Sequence, residues 1–93
     1  MFNLKPTRQF DKDVELMKKR SAKNAFLIKE FLKMLKVGGA KGIPIKHKPH
    51  KLKGIYTGNW EAHIKPDLLI IWFEITAENE ITLLRLGSHS DLF

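Results

Sequence analysis

The run Leu68-Leu-Ile-Ile-Trp-Phe73 is apolar at every position. It constrains the fold of this 93-residue chain more than any other segment. A half-wetted strand alternates apolar and polar residues, whereas a short continuous run is a strand buried on both faces. Asp67 to Ile75 therefore reads as a central strand. The run is far too short to cross a bilayer. The N-terminus, MFNLKPTRQFDKD, shows no apolar signal core, so the expectation is a soluble cytoplasmic protein.

The partners of that strand follow from periodicity. Phe10, Val14 and Met17 share one helical face, with Thr7 as N-cap and the helix running to about Arg20. Acids near its start and Lys18, Lys19 and Arg20 at its end suit the helix dipole. A second helix is expected from about Asn24 to Lys36. Leu27 or Ile28, Phe31, Leu32 and Leu35 form its stripe, and Gly38-Gly39 ends it. Phe2 to Lys5 reads as a short strand stopped by Pro6. Tyr56 to Ile64 contains a strand entering a turn at Lys65-Pro66, and Ile81 to Ser88 follows a turn at Ala77 to Glu80. The order β-α-α-β-β-β predicts one α+β domain over residues 1–93. Two helices pack on one face of an antiparallel sheet. With no Cys, neither a disulfide nor a thiolate metal site staples it.

Register carries this reading towards a site. If Ile75 faces Ile81 across their turn, Ile71 pairs with Arg85 and Asp67 with His89. Arg85, His89 and Asp67 then share the face that the helices leave open.

Charge is polarised. The formal net charge is +7, yet Lys18 to Lys53 holds twelve Lys/Arg against one acid, Glu30, and the remainder holds five bases against nine acids. Such a span is the footprint of a polyanion partner, or else a solvated helix face. It continues through the long Gly/Pro-containing connection Gly38 to Gly54. Connections of that length in a compact domain are usually functional or mobile.

Four histidines occur, His47, His50, His63 and His89. Imidazole takes and gives protons near neutrality. RNA supplies its own nucleophile, the 2′-hydroxyl. Its cleavage needs a base, an acid for the leaving 5′-oxygen, and a cation on the crowded phosphate, but no metal. His50, His63, His89 and Arg85 are adequate for that chemistry. His47-Lys-Pro-His50 could suggest a metal pair, but Pro49 argues against the helix that would align it. A serine-hydrolase elbow and a phosphate-cradling Gly-rich loop are both missing. Trp60 and Tyr56 are candidates for base stacking, and Phe93 for one wall of a base pocket beside His89.

His50-Lys-Leu-Lys-Gly54, Glu61-Ala-His-Ile-Lys-Pro-Asp67 and Leu84-Arg-Leu-Gly-Ser-His-Ser-Asp-Leu-Phe93 stand in the order and spacing of three signature blocks. They resemble those of the YafQ-type toxins of the RelE/ParE superfamily, and Phe10-Asp-Lys-Asp13 is similar to that family's opening helix. The resemblance implies a RelE/ParE-type α+β domain that cleaves mRNA in the ribosomal A site without metal. It implies a RelB/DinJ-like antitoxin as partner. It maps a catalytic set onto His50, His63, Asp67, Arg85 and His89, with Asp67 orienting or tuning one histidine. Lys48, Lys51, Lys53 and Phe93 are the expected RNA contacts. Trp60 and Leu68 depart from the family pattern, where a basic residue and an aromatic are expected. The alternatives are a non-catalytic module of the same fold, such as a ParE-like gyrase inhibitor, or a generic RNA-binding protein. Within the catalytic set His63 is the exposed point: it joins Asp67 on one face only through an odd-length loop or a bulge.

Overall fold

The computed structural model describes residues 1–93. Its elements are β1 (Asn3–Pro6), α1 (Arg8–Arg20), α2 (Ala22–Gly38), β2 (His50–Lys51), β3 (Trp60–Lys65), β4 (Leu68–Ile75), β5 (Glu80–Gly87) and α3 (His89–Leu92). The strands form one sheet in the order β1-β5-β4-β3-β2. The long connection after α2 is not irregular throughout. It holds 3₁₀ turns at Gly39–Gly42 and Ile45–His47 before β2 pairs with β3. No helix is long and apolar enough to cross a membrane.

The helices follow their sequence signals. Thr7 accepts a hydrogen bond from the Phe10 N–H at 3.1 Å, closing the first turn of α1. Gly39 ends α2 with φ +62°, where a Cβ would lie 2.8 Å from the Phe2 ring. Phe10, Met17, Ile28, Phe31 and Leu35 pack on Ala62, Ile70, Trp72, Ile81, Leu83 and Leu86, forming the main core on one sheet face.

Three features depart from the expected order. β1 runs parallel to β5, so the sheet is mixed. An edge strand without a hairpin carries no direction signal. Its direction here goes with Thr7, whose N–H and hydroxyl bond the Leu83 carbonyl as the chain leaves for α1. The other two are β2 and α3, each too short to leave a periodic pattern. The apolar run in β4 is explained by a second, smaller core. Leu69, Ile71 and Leu92 pack together on the open face, with Leu52, Tyr56 and Leu84 against them. Trp72 is fully buried under the helices, whereas Phe73 on the opposite face is 43% exposed.

Register departs from expectation and then recovers. Ile75 pairs with Glu80, not Ile81. Leu84 is then skipped in a bulge, and Ile71 still meets Arg85. A second bulge at Ile64 pairs His63 with Leu69 and Lys65 with Leu68, leaving Pro66-Asp67 as the two-residue turn.

Candidate active site

The two bulges decide what faces the open side. Cross-strand partners share a face. The register therefore sets His50, Glu61, Ile71 and Arg85 in one row, and His63, Leu69 and Gly87 in the next. Without the bulge at Ile64, the same two-residue turn would pair His63 with Ile70, on the helix side.

Arg85 is held from behind. Its Nε donates to Asp13 Oδ2 at 2.9 Å, and the same oxygen accepts the Leu86 N–H at 2.9 Å. Asp13 Oδ1 accepts from Gln9 at 3.0 Å and from Arg85 Nη2 at 3.4 Å. Asp13 is only 6% exposed, although it carries a charge. It caps the edge of β5 beyond the reach of β1 and fixes one side of the guanidinium. Asp13 first, and the Tyr56 hydroxyl second, push the Arg85 pKa further up. Arg85 is a fixed cation on the open face. Sequence reading assigned Asp13 only a dipole role. The signal was its position inside the Phe10, Val14, Met17 stripe, where an acid needs a cation or N–H partner.

Aromatic rings continue from Arg85. Tyr56 meets Phe93 edge-on at 5.7 Å between centroids, and Phe93 lies 5.1 Å from the His89 ring. The His89 N–H donates to Asp67 Oδ1 at 3.2 Å, so the hairpin turn and α3 are tied together. Asp67 thus sits at the end of the sheet in the turn, where it holds the backbone of His89 and not a ring nitrogen. α3 is anchored on its other side. Ser88 and Asp91 form a capping box, and Arg20 binds both Asp91 oxygens at 2.7 and 3.1 Å. A Cβ on Gly87 would lie 3.0 Å from the Asp91 side chain, so any larger residue would press on this anchor. Leu92 then seals the small core.

His50 forms a separate contact group. Its Nδ1 lies 2.8 Å from the Lys48 carbonyl and its Nε2 3.3 Å from Glu61 Oε1. Glu61 is 6% exposed and its second oxygen is buried without a partner. Glu61 entered the sequence reading only as the first residue of the second motif block. The His63 side chain forms no hydrogen bond, and its backbone carbonyl holds His47 Nδ1 at 2.7 Å.

Two expected RNA contacts behave differently from the rest. Strand alternation puts His50 on the open face and therefore sends Lys51 to the other. The Lys51 ammonium lies 5.6 Å over the Trp60 ring, away from the site. Trp60 itself stacks on Trp72 at 6.3 Å and 11°, so it braces the core and does not offer a face to bases. Lys48 and Lys53 are exposed, and Phe93 is half exposed beside His89.

A pH prediction follows from the Arg20–Asp91 contact. Arg20, then the Ser88 backbone and hydroxyl, hold the Asp91 carboxyl well below the usual range. A depressed carboxylate stabilises the folded form above its unfolded pKa, about 3.9, and this contribution fades as pH falls below that value. Amide exchange at Leu92 and Phe93 is expected to accelerate, relative to the main-core strands, between pH 5 and acid conditions. Equal protection of both regions throughout would refute this anchor.

Three comparisons bear on identity. The family model described as the bacterial toxin of type II toxin–antitoxin systems, YafQ, matches residues 2–93. The Escherichia coli K12 protein "mRNA interferase toxin YafQ" is 33% identical over 85 residues, covering 91% of this chain and 88% of that one. The toxin of the E. coli DinJ–YafQ complex superposes with a TM-score of 0.82 at 29% identity, covering 100% of this chain and 99% of that one. A metal-bound toxin from Helicobacter pylori gives 0.82 at 35% identity, with both chains fully covered. This chain belongs to the YafQ family of type II toxin–antitoxin toxins.

Proposed function

We propose that this toxin is a ribosome-dependent endoribonuclease that cuts mRNA by metal-free acid/base chemistry. A DinJ/RelB-like antitoxin holds it in check in the cytoplasm. The observation that carries the reading is Arg85, a cation fixed on the open face by buried Asp13 and neighboured by Tyr56, from which Phe93 and then His89 continue ring against ring. A fixed cation stabilises the charge that builds on phosphate in the transition state, with no reorganisation needed at that moment.

The reaction balances without a co-reactant. A base among His50, His63 and His89 takes the 2′-hydroxyl proton as that oxygen bonds to phosphorus. The bond to the 5′-oxygen breaks, and an acid from the same set gives that oxygen a proton. The products are a 2′,3′-cyclic phosphate and a free 5′-hydroxyl. Asp67 positions His89 through its backbone N–H, and Phe93 with Tyr56 offers a surface for a base. Lys48 and Lys53 contact phosphates of the bound strand. The reading is supported by the E. coli relative, named an mRNA interferase, and by the complex in which a relative is paired with DinJ.

The test is cleavage of a labelled message on programmed ribosomes held at constant free Mg²⁺, with and without a chelator selective for transition metals and with toxin pre-treated in it, followed by end-group analysis. Cyclic phosphate or 3′-phosphate ends formed at full rate in chelator are expected. Loss of cleavage in chelator would remove the metal-free scheme. Translation arrest without any cut ends would replace the enzyme with a binding module.

A further inference from the structure

Beside the candidate active site, beyond the short β2, lies a cavity of about 540 Å³ walled by Lys46, His47, Lys48, His63 and Lys65, with Ile64 and Pro66. No acid lines it, and none of its three lysines is in an ion pair. Three lysines thus border one hollow whose walls hold no carboxylate. The His47 ring is fixed by its Nδ1 contact to the His63 carbonyl and by an edge-on approach to Phe31 at 5.4 Å. Its Nε2 remains without a protein partner in any hydrogen bond. Lys48 adopts the left-handed conformation at φ 51°, which a residue with a Cβ rarely takes.

We infer that this hollow is a phosphodiester subsite for the nucleotide next to the scissile bond. The inference rests on the ribonuclease reading above and specifies how that site grips its strand. Lys48 and His63 are shared walls: the Lys48 carbonyl fixes His50, and His63 belongs to the open-face row. A strand whose phosphate is clamped by Lys46 and Lys65 is thereby registered on the proton carriers. An acidic protein segment is the competing occupant. It fits less well because Ile64, the one aliphatic side chain in the lining, is committed to the core.

The experiment compares two non-cleavable dinucleotide probes, carrying a 2′-deoxy sugar at the cut position. One has an added flanking terminal phosphate and the other has none. Wild type is expected to bind the phosphorylated probe about tenfold tighter, with the His47 ring resonance shifting only for that probe. Lys46→Gln/Lys65→Gln should abolish the difference and lower the salt slope by about 0.7 for each phosphate left unneutralised, as for single strands. Lys46→Arg/Lys65→Arg should keep it. Equal binding of both probes by wild type overturns the subsite. So does an acidic peptide that shifts His47 while the phosphorylated probe does not. Ribosomal cleavage by the same wild-type preparation is measured in parallel. Cleavage with equal probe binding removes only the subsite, whereas absence of cleavage removes the ribonuclease reading.

Discussion

Single-turnover cleavage on programmed ribosomes should fall by about 10²- to 10⁴-fold in His50→Ala, His63→Ala or His89→Ala, wherever that histidine transfers a proton. The three losses should be less than multiplicative, because a base and an acid act in one transition state. Stability separates them. His89 is exposed on α3, and its removal leaves no buried group unpaired. His50→Ala strands the Glu61 carboxylate, which has no other partner, and should cost about 1–3 kcal/mol in denaturant unfolding. His50→Ala/Glu61→Gln should recover part of that stability and none of the activity. A triple histidine variant that cleaves like the parent would remove the proposed proton carriers.

Arg85→Ala should slow the same step by about 10²- to 10³-fold, the scale set by losing one preorganised donor to a developing oxyanion. It should leave the fold intact, because Asp13 keeps the Leu86 N–H and Gln9. Arg85→Lys keeps charge but cannot reproduce the Nε contact to Asp13, and should recover only part of the rate. Asp13→Ala is expected to do both kinds of damage. It frees the guanidinium and leaves the Leu86 N–H buried and unpaired, costing about 1–3 kcal/mol. Asp13→Asn retains an acceptor for Leu86 while losing the charge. It should be nearly stable yet clearly slower, with the loss in the rate constant more than in half-saturation. If Asp13→Asn and Arg85→Ala both cleave at the parent rate, the phosphate role of Arg85 is wrong.

Periodicity alone determined the helices, the central strand and the fold class. The stripe at Phe10, Val14 and Met17 and the unbroken Leu68 to Phe73 run each admit few burial solutions. The motif blocks likewise carried the family, because three spaced blocks are specific where one is not. The tertiary structure decided the faces. Period-2 alternation makes a side chain's face depend on every residue between it and the turn, so one bulge inverts it. Ile75 facing Ile81 was wrong by one residue, and the bulge at Leu84 restored Ile71 to Arg85. The bulge at Ile64 put His63 on the open face, and nothing local in the sequence marks either bulge. Lys51, grouped with Lys48 and Lys53 by charge, lies on the helix side because its neighbour His50 does not. Asp13 and Glu61 stayed unread for the same reason. A buried carboxylate takes its meaning from a partner distant in the chain, 72 residues away for Asp13 and Arg85, and only folding brings the two together.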